Sequence, residues 1–200
     1  MNTRFLPVAL GLVLAACGAP AADQTADRAG QPPLAGARIG APFTLTDQNG
    51  RTVTDRDFAG RWRIMYFGYS FCPDVCPLDL QVIGAGLKAF EASDPARGRK
   101  VVPIFVTVDP ERDTSAALKP FVAAFHPRMV GLTGTPTAIA ALAKGYGVYF
   151  KLGPKQAGGG YLVDHSRQSY LMDPNGKPVA LLPSETSPQA VAGELAKWVR

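Results

Sequence analysis

Three cysteines and two histidines are the residues of this 200-residue chain that can bind a soft metal ion or exchange electrons. Two of the cysteines stand close together in Phe71-Cys72-Pro73-Asp74-Val75-Cys76-Pro77. A disulfide closing a loop of about five residues contributes roughly 2 kcal/mol, against nearly 5 for a loop of about 100, so the pair is better explained by chemistry than by stapling. Thiols at this spacing converge on one ion if the loop turns, and they close a disulfide if their Cα atoms come within about 7 Å. The spacing permits both. Pro77 suits a first helical turn, which places Cys76 at or beside the N-cap, where backbone N–H groups and the helix dipole favour an anion and predict a lowered thiol pKa.

Two thiolates and one imidazole form a three-ligand set of borderline-soft character that suits copper or zinc. His165, in Tyr161-Leu162-Val163-Asp164-His165-Ser166, is the candidate third ligand. A lone histidine near a strand end is also an ordinary hydrogen-bonding residue, so the residues alone leave its role open. Asp164 can orient a ligand imidazole from behind, as such rings usually require, or cap a turn. His126, followed by Pro127, is expected in a surface loop. Met129 and Met172 read as core filling, and Asp109-Pro110-Glu111-Arg112-Asp113 as a structured loop after a strand. Lys151 and Lys155 flank a glycine-rich loop, where they are solvated or help to dock a partner.

The third cysteine belongs to the N-terminus. Arg4 precedes a short apolar run, Phe5 to Ala16, with no acidic residue before Asp23. The run is shorter than the roughly 20 apolar residues of a spanning helix, and it reads as a secretion signal. It ends in Leu14-Ala15-Ala16-Cys17-Gly18, which resembles the lipobox of bacterial lipoproteins and makes Cys17 an acylated anchor. The expected organisation is a signal peptide over 1–16, a tether over 17–38 poor in large apolar residues, and one folded domain over 39–200. The expected location is extracytoplasmic in a bacterium, with membrane attachment through the lipid. Cleavage would remove one basic and no acidic residue, leaving a formal charge of +4. That weak charge, without a Lys/Arg cluster, excludes a nucleic-acid partner.

The elements that must position the thiols follow from pattern. Pro42 to Thr46 alternates with period two, Asp47-Gln48-Asn49-Gly50 carries an Asn-Gly turn, and Arg51 to Thr54 returns, predicting a hairpin. Arg63 to Ser70 is an apolar, aromatic strand that runs into the cysteines. Leu80, Ile83, Leu87 and Phe90 mark an amphipathic helix over Leu78 to Ala92. A buried strand, Val101 to Val108, precedes a helix over Ser115 to Phe125, and a further helix covers Thr135 to Tyr146 with Pro136 in its first turn. A short strand within Gly147 to Leu152, a glycine-rich loop over Gly153 to Gly160, a hairpin of Ser166 to Met172 with Lys177 to Leu182, and a helix over Gln189 to Val199 complete the chain. Strands separated by helices, then a hairpin and a closing helix, predict an α/β fold with a mixed central sheet flanked by helices and an N-terminal β-hairpin extension.

From about Gly40 to Arg200 the sequence resembles the Sco/SenC family of copper proteins, through FCPDVCP at 71–77, VTVDPERDT at 106–114, GLTGT at 131–135, and YLVDHS with YLMDPNG at 161–176. Four segments in family order are a specific signature, whereas a bare CxxxC is not. The resemblance implies a thioredoxin-like fold and one copper ion, Cu(I) or Cu(II), held by Cys72, Cys76 and His165. It also implies delivery of copper to the dinuclear copper centre of cytochrome c oxidase subunit II, or maturation of that centre or of another copper or thiol acceptor.

The competing function is that of an extracytoplasmic thiol-disulfide oxidoreductase, in which Cys72 and Cys76 cycle through a disulfide and His165 is not needed. The opening APFTLTDQNGRTVTDRDFAGRW also resembles thioredoxin-like reductases and peroxiredoxins. Two departures favour copper. The cysteines are separated by three residues rather than two, and His165 stands where many such reductases place a cis-proline. Tyr69-Ser70-Phe71 lacks the Thr and Pro usual before a peroxidatic cysteine.

Overall fold

In the computed structural model the described residues are Met1 and 30–200, apart from 157 and 159. Residues 2–16 of the expected signal segment, and Cys17, lie outside the described residues. The fold below is that of residues 32–200. In chain order it comprises β1 (Thr44–Asp47), β2 (Thr52–Thr54), a 3-10 turn (Asp55–Phe58), β3 (Trp62–Gly68), α1 (Val75–Ser93), the short α2 (Pro95–Gly98) and β4 (Val101–Thr107). It continues with α3 (Ser115–Ala123), β5 (Val130–Thr133), α4 (Pro136–Gly145), β6 (Phe150–Leu152), β7 (Val163–His165), β8 (Ser169–Met172), β9 (Pro178–Leu182) and α5 (Pro188–Trp198).

Every residue of β3 and β4 is buried, as their largely apolar runs, interrupted by Arg63 and closed by Thr107, require of central strands covered on both faces. They pair in parallel, and β4 pairs in parallel with β5. Right-handed crossovers from β3 to β4 and from β4 to β5 then place α1 and α3 on the same face. The backbones agree: a Cβ at Gly84 of α1 would meet the Phe125 carbonyl, just past α3, at 2.5 Å. Gly86 allows α5 an equally close approach to α1, since a Cβ there would meet Val191 at 2.7 Å. Alternation along β3 sends Phe67 to the opposite face, where it meets Tyr146 at the end of α4 with ring centroids 5.1 Å apart.

Both flanks of the parallel trio are antiparallel, giving the order β2-β1-β5-β4-β3-β8-β9. The expected N-terminal hairpin joins the sheet by pairing β1 with β5. Its turn and the turn of the β8–β9 hairpin use one device. The Asp47 carboxylate accepts from the N–H of Asn49 (2.8 Å) and Arg51 (2.9 Å), and that of Asp173 from Asn175 and Lys177 (2.8 Å each). Gly50 and Gly176 supply the left-handed φ of +79° and +78° that a side chain resists. The domain begins before Ile39, because Leu34 donates a backbone hydrogen bond to Val179 at 3.0 Å. Among the described residues no helix is long and apolar enough to cross a membrane.

Two expectations are corrected here. His126 is buried rather than set in a surface loop. Its Nδ1 accepts from the Arg128 N–H at 3.2 Å, and its Nε2 lies 3.4 Å from the Glu91 carboxylate, so Pro127 turns the chain around an inward ring. The strand expected from Ser166 begins only at Ser169, as β8 of the main sheet; His165, three residues before it, ends β7, which pairs with β6 in a separate two-stranded ribbon.

Candidate metal centre

β3 ends at Gly68 and α1 begins at Val75, so the intervening loop carries Cys72 while Cys76 sits in the first helical turn. The loop is held by the segment that follows the neighbouring parallel strand. Fully buried Asp113 accepts from the Ser70 N–H at 2.9 Å and from the Thr107 hydroxyl at 2.6 Å, and it also bonds the Ser70 hydroxyl. Sites outside the carboxyl ends of adjacent parallel strands are where open α/β sheets bind ligands. The structured loop expected at 109–113 is therefore the buttress of the cysteine loop.

His165 arrives on the β6–β7 ribbon, opposite Phe150. Its Nδ1 lies 2.9 Å from the Ser166 carbonyl, which can only accept, so Nδ1 carries the proton and Nε2 presents its lone pair. That lone pair faces Cys76 Sγ at 3.1 Å. The Tyr69 ring stands edge-on to the imidazole, with centroids 5.8 Å apart. Burial holds the His165 pKa below its ordinary value and keeps the ring neutral, as ligation requires. Asp164 lies on the exposed face of the ribbon, opposite Lys151, and the Ser166 carbonyl is the group that meets Nδ1.

Both cysteines are free thiols, Cys72 half-buried and Cys76 fully buried. The Cys76 N–H approaches Cys72 Sγ at 3.5 Å, the stabilisation that a helix start offers a thiolate. For Cys76 itself the expected lowering of the pKa is overturned. Burial, the largest influence, pushes the thiol up despite its place in the first turn. A bare thiolate there would lack water, and a soft cation would supply the missing counter-charge.

Cys72 Sγ, Cys76 Sγ and one nitrogen of His165 lie within 4.8 Å of one another. Thiolate and imidazole donors sit about 2.0–2.3 Å from a soft ion, so donors sharing one ion are separated by up to roughly 4.6 Å. The observed grouping therefore needs only small adjustments. Two sulfurs and a neutral imidazole fit copper or zinc better than a hard ion.

Two clusters near the site carry little local sequence signal. The Asp79 carboxylate, buried on α1, accepts from Arg167 Nη2 at 2.7 Å, Arg167 Nε at 3.2 Å and the Tyr66 hydroxyl at 2.9 Å. Elsewhere around the site, the Arg112 guanidinium lies 3.7 Å from the Tyr161 ring centroid and 4.9 Å from that of Phe71, while pairing with Asp109. Tyr161 completes this cluster by donating to Asp109 at 2.7 Å. Only the DPERD run advertised part of it; Asp79 and Arg167 are 88 residues apart.

The SCO1/SenC family matches residues 31–200. The chain is 38% identical over 166 residues to the mitochondrial SCO1 homologue of Mus musculus, covering 81% of this chain and 56% of that protein. It is 42% identical over 158 residues to Protein SenC of Rhodobacter capsulatus, covering 79% of this chain and 69% of that protein. It thus spans about half the length of the mouse relative and more of the bacterial one. The structure of Bradyrhizobium japonicum ScoI with copper bound superposes with a TM-score of 0.73 at 41% identity, covering 80% of this chain and 99% of that one. Copper-bound yeast Sco1 gives 0.73 at 38% identity, covering 80% and 87%. The fold is accordingly the expected thioredoxin-like one. With the family match spanning residues 31–200, this chain belongs to the SCO1/SenC family.

Proposed function

We propose that this protein binds one copper ion through Cys72, Cys76 and His165 and delivers it to the dinuclear copper centre of cytochrome c oxidase subunit II. The observation that carries the reading is the convergence of two sulfurs and one imidazole nitrogen within 4.8 Å. The copper-bound state of the similar Bradyrhizobium and yeast proteins supports the choice of copper.

The unequal exposure of the cysteines sets an order of events. Cys72, half-buried on the loop, is the sulfur that an incoming partner thiolate displaces first, while fully buried Cys76 keeps hold until a second partner ligand arrives. The thiol proton of Cys76 leaves when the ion enters and returns when it departs, because a lone buried thiolate is disfavoured. Cys17 anchors the mature chain to the extracytoplasmic membrane surface; detergent-phase partitioning that is lost in Cys17→Ser is the expected behaviour.

A second reading rests on the Cys76 N–H directed at Cys72 Sγ. A Cys72 thiolate would attack a partner disulfide and release one partner thiolate. Cys76 would then attack the Cys72 sulfur, forming the Cys72–Cys76 disulfide and releasing the second partner thiol. Oxidase assembly in cells separates the two readings. Copper delivery predicts that His165→Ala and Cys72→Ala both abolish assembly; normal assembly with His165→Ala and none with Cys72→Ala would establish thiol exchange instead.

A further inference from the structure

The three ligand atoms come from two separately built parts of the molecule. Cys72 and Cys76 belong to the β3–α1 junction inside the main sheet, whereas His165 rides on a ribbon of two three-residue strands outside it. Such a ribbon has few hydrogen bonds of its own. Something must fix its distance from α1 before an ion arrives, or the ordering of the ribbon would be charged against binding.

The Arg167–Asp79 pair has the right place and strength. Arg167 lies two residues beyond His165, within about 7 Å along an extended chain. Asp79 lies three residues beyond Cys76, about 4.5 Å along the same helical face. The pair therefore bridges the two parts roughly one helical turn from the Cys76–His165 contact and parallel to it. Its two-pronged geometry, 2.7 and 3.2 Å, fixes orientation as well as distance. Tyr66 holds the same carboxylate from β3 at 2.9 Å, so Asp79 is a rigid post rather than a mobile surface acid. Asp79 is 1% exposed and Arg167 is its sole ion-pair partner among the described residues, so releasing the guanidinium strands a buried charge. That penalty keeps the bridge closed.

We propose that Arg167, gripping the buried Asp79 carboxylate, is a positioning residue that locks the β6–β7 ribbon onto α1 and so presents His165 to the same metal ion as Cys76. This rests on the copper reading above, and it divides copper's two oxidation states. Cu(I), satisfied by two thiolates, gains little from the lock, whereas binding that relies on His165, the harder donor, gains most.

The test uses the full chain carrying Arg167→Ala, Arg167→Lys, and the double variant Asp79→Asn with Arg167→Met, each with and without His165→Ala. The double variant removes the buried charge together with its partner, so the fold survives loss of the bridge. Folding is checked by circular dichroism. Expected is a Cu(II) affinity reduced about 10- to 100-fold in Arg167→Ala and the double variant, the usual effect of losing a group that orients a ligand. Arg167→Lys recovers part of it, and Cu(I) affinity holds throughout. In the His165→Ala background the same changes have no further effect on Cu(II). In metal-free protein, amide exchange over Val163 to Ser166 speeds up when the bridge is lost. Unchanged Cu(II) affinity in the folded double variant, or an equal loss with and without His165, overturns the proposal. If the wild type bound no copper the functional reading would fall, and amide exchange would then decide the bridge alone: unchanged exchange overturns it.

Discussion

Cys76 Sγ and His165 Nε2 are 3.1 Å apart although 89 residues separate them along the chain. The contact joins the first turn of α1 to the end of β7, and the neutral tautomer enforced by the Ser166 carbonyl leaves the imidazole lone pair aimed at the sulfur. An ion entering between them meets a donor pair that is already assembled, with Cys72 as the accessible third.

The absence of a side chain at position 68 is required by this packing. A Cβ on Gly68 would meet Cys76 Sγ at 2.9 Å, Tyr66 Cε1 at 3.0 Å and Phe105 Cε2 at 3.3 Å, all in buried residues. Gly68→Ala is expected to destabilise the protein by about 1–3 kcal/mol, the usual range for overpacking, and to displace the sulfur. Denaturant unfolding checks the first effect and copper affinity the second; a variant unchanged in both would show that the junction is loose.

Asp113 ties the cysteine loop to β4 through Ser70 and Thr107. Asp113→Ala leaves buried donors unsatisfied at about 1–3 kcal/mol each, so a loss of about 3 kcal/mol is expected. Asp113→Asn keeps an acceptor and should lose less. The comparison is read from urea midpoints at constant slope.

Burial keeps His126 neutral in the folded protein, against the opposing pull of Glu91 and with Arg128 and Lys88 reinforcing the effect. Its folded pKa is below its unfolded one, so the unfolded chain takes up the proton first as pH falls. The stabilisation is complete above about pH 6.5 and declines below it, with a limiting slope of about 1.4 kcal/mol per pH unit for one proton. His165 is shifted in the same direction and adds to the same window. Urea unfolding of metal-free protein between pH 8 and 5 should show this decline, with a shallower slope in His126→Gln; an identical slope would mean that His126 titrates normally in the fold.

The parts of the fold that announce themselves in sequence are those with strong local chemistry. The two Asp-x-Asn-Gly turns fix hairpins through one carboxylate and one left-handed glycine each, and the apolar runs of β3 and β4 are long enough to be read as central strands. β5 and β7 are not legible because four and three residues hold too little pattern, and their pairing is decided by distant partners. The cysteine pair stands out by position and spacing, whereas His165 is a candidate on residue type and gains its role largely through family resemblance. The direction of the Cys76 pKa was not readable at all, since helix position argues for lowering and only the packed structure reveals the burial that wins. Arg167 and Asp79 look like surface charges in isolation, and only the fold brings them together.

The measurement that bears most directly on a three-ligand copper site is anaerobic copper titration of wild type and His165→Ala, followed by absorption spectroscopy. The reduced wild type should bind one Cu(I) per chain, and with Cu(II) it should develop intense thiolate-to-Cu(II) charge-transfer bands at the same stoichiometry. His165→Ala should keep Cu(I) and bind Cu(II) roughly 100-fold more weakly, the upper end of what losing even an orienting partner costs. A wild type without charge-transfer bands, or a His165→Ala variant with unchanged Cu(II) affinity, would contradict a site built from Cys72, Cys76 and His165.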